Sequence, residues 1–301
     1  KGLNLPHTEL KLGAMTTKDY TDVTLAVTCK LDYVALSFVS DETDIYSLRS
    51  HLNSLGGPQI KIIAKIERQK AVDRIVSIVE AADAVMVARG DLGVEIGLES
   101  VPKTQKMIIH ECNQRVRPVI VATQMLESMI QSKIATRAEV SDVANAVYDG
   151  CDAVMLSGET AVGIDPVNVI NTMHSICAAS DHHMMEMKHH DRKLKKYFLK
   201  STTATSFCRA ADQIAEENNA TALVAFTSSG STPLITSKTN SMFPIIAPTD
   251  DAEVCRRMSI YRGVIPVLMN KKFKDIHKWT DMINFAIHQA KDEGLLKKGD
   301  I

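Results

Sequence analysis

The chain has 301 residues, of which 45% are hydrophobic and 24% charged, with a formal net charge of -1. This is the make-up of a globular protein of roughly two domains, at about 100–200 residues each. The balanced charge gives no general pull toward nucleic acid or an anionic membrane surface. No uncharged apolar run approaches the ~18 residues that a membrane span needs, and no signal peptide is visible. Six cysteines are scattered without a Cys-x-x-Cys pair, the pattern of reduced, mostly buried thiols in a cytoplasmic protein. The chain opens at Lys1-Gly2-Leu3 without an initiator methionine, so the natural N-terminus is expected elsewhere.

Five apolar runs follow one another in the first two-thirds: DYVALSF (32–38), IKIIAKI (60–66), DAVMVA (83–88), PVIVAT (118–123) and DAVMLS (152–157). They lack polar/apolar alternation, which predicts strands buried on both faces. Their starts lie 23 to 35 residues apart, about one βα unit each. The intervening helices carry end signals. Thr136 and Glu139 make a capping box, Val140, Val143, Ala144 and Val147 mark an apolar face, and Gly150 suits a left-handed stop. Asp165-Pro166 opens the next helix, whose apolar side holds Val169, Ile170, Met173 and Cys177. ADAVMVARGD (82–91) and CDAVMLSGET (151–160) nearly repeat each other, as equivalent places in a repeating βα architecture would.

Parallel strands with crossover helices suit a doubly wound sheet or part of a (β/α)8 TIM barrel. The barrel is favoured because polar residues cluster at the C-terminal ends of the strands. Around 181–201 the pattern breaks. His182, His183, His189 and His190 there lack a cysteine or paired carboxylate to complete a ligand set, so the segment reads as solvated and interdomain. A second α/β rhythm follows: a helix (203–218), ALVAFT (222–227), FPIIAPT (243–249), a helical AEVCRRMSI (252–260), GVIPVLM (263–269) and an amphipathic helix (280–296). The expected domains are 1–190, part of a barrel, and 191–301, a three-layer α/β domain. KKGDI at 297–301 reads as the start of a further strand.

Lys65 and Glu67 lie two apart in IIAKIE, on one side of a strand end. A lysine at the end of an apolar run points to function; the plain alternative is an ion pair. Asp91 ends the next strand, and neighbouring strands lie about 4.8 Å apart, so Glu67 and Asp91 can converge on one Mg²⁺ or Mn²⁺. Gly90 allows a ligand close to the backbone; alone, RGDLG also suits a surface turn. Thr123, Ser157 and Glu159 end the next strands, where a hydroxyl can orient a carboxylate and Glu159 can relay a proton, although each also suits a helix cap. Together these residues fit a metal-assisted site for an oxyanion-rich small substrate, with Lys65 as fixed positive charge. In the second domain the Ser/Thr/Gly loop of AFTSSGST suits phosphate or a plain turn, without the Gly-Lys-Ser/Thr of a P-loop.

KGLNLP (1–6), IIAKIE (62–67), MVARGDLGVEI (86–96), VATQMLESM (121–129), TRAEVSDVANAV (136–147) and DAVMLSGETA (152–161) resemble the pyruvate kinase family, in the family's order. The resemblance implies phosphoryl transfer from phosphoenolpyruvate to ADP, giving pyruvate and ATP in glycolysis, with Mg²⁺ (or Mn²⁺) and K⁺. It implies that Lys65 stabilises the transition state and that Glu67 and Asp91 hold the divalent ion. Ala88, Arg89, Gly90, Asp91 and Thr123 then line the substrate turn with Lys65. Ser157 and Glu159 lie where enolate protonation is managed. Thr227, Ser228, Ser229, Gly230 and Ser231 match an effector loop for sugar phosphates. A cytoplasmic homotetramer is implied for the intact protein. The family also has a stretch before KGLNLP and a continuation past KKGDI. Five strands do not close an eight-strand barrel, so the 301-residue polypeptide alone is expected to lack useful turnover. Two other readings stand beside this one: a Schiff-base barrel aldolase using Lys65, and a non-catalytic phosphate-effector module.

Overall fold

The computed structural model describes residues 15–190, 199–239, 241–269 and 279–292, with 294, 296, 297 and 299, the side chains of 188–190 and 279 excepted. KGLNLP and most of KKGDI lie outside the described residues, as do the side chains of His189 and His190. The chain divides into two compact units, Lys1–Leu194 and Lys195–Ile301.

In the first unit α1 (Thr17–Thr28), β1 (Tyr33–Leu36), α2 (Glu42–Ser54) and β2 (Lys61–Ile66) lead into α3 (Gln69–Asp73), α4 (Ile75–Ala81) and β3 (Ala84–Ala88). Then come α5 (Arg89–Ile96), α6 (Val101–Gln114), β4 (Val119–Ala122), α7 (Arg137–Asp149), β5 (Ala153–Met155), α8 (Gly158–Ala161) and α9 (Pro166–His190). All pairings are parallel and the sheet order is β1-β2-β3-β4-β5. That order decides between the two architectures. A doubly wound sheet reverses direction from its first strand, whereas strands added one after another by same-handed crossovers keep their helices on one face, as in a TIM barrel.

The register confirms one helix-covered face. Ile62, Ala64, Ile66, Val85, Val87, Val119 and Val121 share a core with Leu52, Ile78, Ile108 and Ile109 of α2, α4 and α6. Fully burying such an aliphatic side chain contributes about 1.5–3 kcal/mol, so this seam holds the strands in place. β2, β3 and β4 are buried on both faces as expected, but the edge strands are not: Ala35 is exposed and Ala153 and Met155 are half-buried. An edge strand has a neighbour on one side only, and residues facing away from the helices keep part of their surface open.

Several local expectations are met. Thr136 and Glu139 form a reciprocal capping box, and Gly150 ends α7 at φ +88°. The near-repeat has a shared mechanical job. The Asp83 carboxylate accepts the Ile62 amide at 2.9 Å, and the Asp152 carboxylate accepts the Val119 amide at 2.7 Å. Each aspartate ties the start of its strand to the preceding one; β3 runs directly into α5, and β5 reaches the short α8 after two intervening residues. Two helix-face expectations fail, because Val140 and Ile170 are exposed while Ile176 takes a core place. The break expected from 181 also comes later: α9 continues through His190. His182 and His183 are exposed and both approach Glu186, and no metal-holding cluster exists among the described residues.

The second unit contains α10 (Thr203–Glu217), β6 (Leu223–Val224), α11 (Ser231–Lys238), β7 (Ile245–Thr249), α12 (Ala252–Arg257), β8 (Val264–Leu268) and α13 (Trp279–Asp292). Its parallel sheet has the order β6-β7-β8. Ile245, Ala247 and Val264 pack with Val254 and Met258 on one face. Ile246 and Val267 pack with Phe285 and Ala290 on the other. Alternate residues of β7 thus feed two separate cores, giving three layers.

Candidate functional site

The C-terminal ends of β1 to β5 form one rim, because the strands are parallel and in register. At β2, Lys65 Nζ lies 2.7 Å from Glu67 Oε1 and donates to Ser37 Oγ at 2.8 Å. Glu67 is 1% exposed, while the Lys65 side chain keeps 24% of its surface. The second Glu67 oxygen accepts the Phe38 amide at 2.6 Å. Phe38 stands at φ +54°, which aims that amide inward, and the Arg68 guanidinium lies 5.2 Å from its ring. A buried carboxylate thus orients a half-exposed ammonium group at the rim. Ser37 and the Phe38 amide were not singled out in the sequence. The signal was available for Ser37, a hydroxyl one residue before the end of the first apolar run, as Thr123 and Ser157 are at the ends of theirs.

Continuing the register of Lys65 with Met86 sets Glu67 level with Ala88, so the Arg89-Gly90-Asp91 turn opens beside it. Asp91 is exposed in the first turn of α5 and makes no hydrogen bond or ion pair among the described residues. Ala88 is 2% exposed and brings only backbone to the rim. α5 has no side-chain cap of its own. The cap comes from the next strand, since Thr123 Oγ1 accepts the Gly90 amide at 2.8 Å and donates to the Ala122 carbonyl at 2.6 Å. A Cβ on Gly90 would meet nothing closer than Thr123 Oγ1 at 3.7 Å. The protein's own packing therefore does not require glycine there, and the free space belongs to the rim.

Thr123 and Gln124 stand at φ +72° and +53°. Left-handed conformations in residues other than glycine cost on the order of 1–3 kcal/mol each and persist only where the surroundings over-determine them. Three side chains hold this loop. Arg89, 9% exposed, turns behind the rim and donates to the carbonyls of Ala122, Thr123 and Gln124 at 3.3, 2.8 and 3.4 Å. Glu139 accepts the amide and hydroxyl of Ser128, each at 2.6 Å. Glu159, 0% exposed, accepts the Leu126 amide at 3.1 Å and the Ser157 amide at 2.8 Å. Burial alone would push the Glu159 carboxyl up. Hydrogen bonds from the amides of Ser157, Glu159, Leu126 and Met125 outweigh it and hold the group below the usual carboxylate range. Ser157 itself is exposed and makes no side-chain cap.

The structure thus brings Lys65 together with Glu67, and Thr123 with Gly90, on neighbouring strands. It places the Arg89 side chain and Glu159 behind the rim. In the second unit, Thr227 Oγ1 accepts the amides of Ser229 and Gly230 at 3.3 and 2.8 Å, and Gly230 at φ +82° leads into α11. Ser229 and Ser231 hydroxyls lie 3.0 Å apart and Ser228 is exposed beside them. The loop is a closed turn at a helix N-terminus.

Fold and rim together define an α/β protein of the TIM-barrel type, carrying a lysine–carboxylate site at the C-terminal ends of its strands and an α/β domain after it. Residues 1–170 match the pyruvate kinase barrel domain and residues 205–301 the pyruvate kinase alpha/beta domain. The chain belongs to the pyruvate kinase family. It is 38% identical to a pyruvate kinase of Clostridium acetobutylicum, aligned over 100% of this chain and 62% of that protein. It is 40% identical to one of Geobacillus stearothermophilus, over 100% and 50%, and 40% identical to pyruvate kinase 1 of Saccharomyces cerevisiae, over 100% and 60%. The chain therefore spans about half to three-fifths of the length of these relatives.

Proposed function

We propose that the rim carries the phosphoryl transfer of the family, from phosphoenolpyruvate to ADP, giving pyruvate and ATP. The observation that carries this reading is Lys65, an ammonium group fixed by buried Glu67 and by Ser37 yet open at the rim, beside Asp91, which has no partner among the described residues. In this reaction the bond between phosphorus and the enol oxygen breaks, an oxygen of the ADP terminal phosphate takes the phosphoryl group, and the enolate left behind is protonated on carbon. Lys65 places positive charge where the oxygen becomes anionic. Thr123 holds the N-terminal turn of α5 through the Gly90 amide, and that turn orients the substrate carboxylate. Ser157, exposed with no side-chain cap at the end of β5, is the group offered for enolate protonation, while Glu159 acts by holding the loop.

Glu67 and Asp91 are the hard carboxylates that would hold Mg²⁺ or Mn²⁺, ions that retain water and substrate oxygens for their other positions; Asp91 is open at the rim, while Glu67 would have to share an oxygen now engaged by Lys65 or the Phe38 amide. Bound there, the ion would offset the charge of the phosphoryl and carboxylate oxygens. K⁺ is proposed as a second cofactor on family grounds, without a ligand assigned in this chain. A sugar-phosphate effector at Thr227–Ser231, a homotetramer and a cytoplasmic location belong to the same reading. No helix among the described residues is long and apolar enough to cross a membrane.

The aldolase alternative needs a free amine at Lys65, and the nitrogen here is engaged by two oxygens. Calorimetry with phosphoenolpyruvate, with and without Mn²⁺, tests the choice. Binding that needs Mn²⁺ and is lost in Glu67→Gln supports the kinase reading. Metal-independent binding, or a borohydride-trapped adduct on Lys65, refutes it. In a protein of the relatives' full length, Lys65→Met is expected to lower pyruvate formation by about 10²–10³, the usual cost of one transition-state donor.

A further inference from the structure

We propose that Asp142 and Arg89 are positioning residues that lock the left-handed Thr123–Gln124 turn from behind, and so set the Thr123 hydroxyl and the Gly90 amide at the rim. A guanidinium has five N–H donors. Here Nε donates to the Ala122 carbonyl, Nη1 to Gln105 and Asp142, and Nη2 to the Thr123 and Gln124 carbonyls and to Met125 Sδ. Six acceptors share five donors, so none remains for a substrate. Arg89 acts on the ligand only through the backbone it holds.

Two successive left-handed residues, one of them β-branched, turn three consecutive carbonyls toward a single point. The guanidinium occupies that point and satisfies all three. Asp142, on α7, holds the cation in place with both oxygens 2.7 Å from Nη1. A cleft of about 510 Å³, lined by Arg89, Gln124 and Asp142 among others, borders the pair. Side-chain packing therefore does not support the turn from that side, and the ionic contact does. Thr123 then caps α5 through Gly90, which links α7 to the rim through Asp142, Arg89, the turn, Thr123 and Gly90.

The consequence for ligand binding rests on the proposed function; the geometry of the turn does not. The experiment is hydrogen exchange of the Gly90 amide in the 301-residue chain, with the Val87 amide of β3 as the internal control. Asp142→Ala is expected to speed Gly90 exchange at least tenfold while Val87 stays protected. Asp142→Asn, which keeps one acceptor, should shift it the same way by less, and it serves if the alanine variant does not fold. The decisive readout is rescue: Gln124→Gly accepts a positive φ without steric cost, so the Asp142→Ala/Gln124→Gly chain should regain slow Gly90 exchange. A merely structural role for Asp142 in α7 would not respond to a glycine in this turn. Unchanged Gly90 exchange, equal acceleration of Val87, or failure of Gln124→Gly to rescue overturns the proposal. Phosphoenolpyruvate affinity with Mn²⁺, read on the same variants, should fall and recover in parallel, and parallel loss without recovery also counts against it. A wild-type chain that binds no phosphoenolpyruvate removes the affinity readout and leaves the exchange result to decide this inference by itself.

Discussion

Replacing Glu159 with glutamine separates a proton relay from a positioning carboxylate. The carboxylate is fully buried and accepts the Leu126 and Ser157 amides. Glutamine keeps one acceptor oxygen but presents an NH₂ group to a backbone N–H. One charge-assisted hydrogen bond is lost, about 1.5–3 kcal/mol, and a buried donor is left unsatisfied at about 1 kcal/mol or more. We expect a loss of about 2–4 kcal/mol at pH 7, measured by urea unfolding. The pH dependence gives the sign. The folded pKa of Glu159 is lowered by its amide partners against the opposing effect of burial. Its stabilisation is therefore fully present above the unfolded glutamate value of about 4.3 and fades as pH falls through the lowered folded value. The gap between wild type and Glu159→Gln should narrow over that acid range, with other carboxylates cancelling in the comparison. A gap below about 0.5 kcal/mol at pH 7, or one that does not change with pH, would falsify the clamp. In a protein of the relatives' full length, Glu159→Gln should also leave the pH limbs of pyruvate formation where they are, because a holding group does not titrate in the reaction.

Gly90→Ala should leave stability unchanged or raise it by up to about 1 kcal/mol, as alanine favours helix and the nearest atom leaves room at 3.7 Å. It should nonetheless weaken phosphoenolpyruvate binding at least tenfold by calorimetry, and a variant that binds normally would show that the open space at the rim is not used. Thr227→Val removes the acceptor for the Ser229 and Gly230 amides and should cost about 1–3 kcal/mol, and on the proposed effector reading it should lose sugar-phosphate binding. Thr227→Ser should keep both, and thermal melting with and without the sugar phosphate reads the difference. Asp83→Asn should cost about 1–2 kcal/mol, read by urea unfolding. Burial raises the Asp83 carboxyl, but the Ile62 amide, Arg49 and Lys61 outweigh that and lower it, so the cost should shrink as pH falls below the ordinary aspartate value near about 3.9.

The sequence by itself determined the strands, their parallel character and the rim. Apolar runs such as DAVMVA have strand length without alternation, and their spacing of 23 to 35 residues fits one βα unit each. Period-based reasoning also placed Lys65 and Glu67 on one side, since alternation along a strand is local geometry. Capping at Thr136 and Gly150 was legible for the same reason, being decided within four residues. What only the tertiary structure decided is how residues far apart in the chain share hydrogen bonds. Sheet order separated barrel from doubly wound, because either order has the same local pattern. Arg89 and Glu159 read as rim groups by position, but side-chain direction depends on which carbonyls and amides surround them. Arg89 found three carbonyls of a strained turn and an aspartate 53 residues away, and Glu159 found a loop 33 residues earlier. Such partners leave no periodic trace, so the rim was visible in the sequence and the machinery that holds it was not.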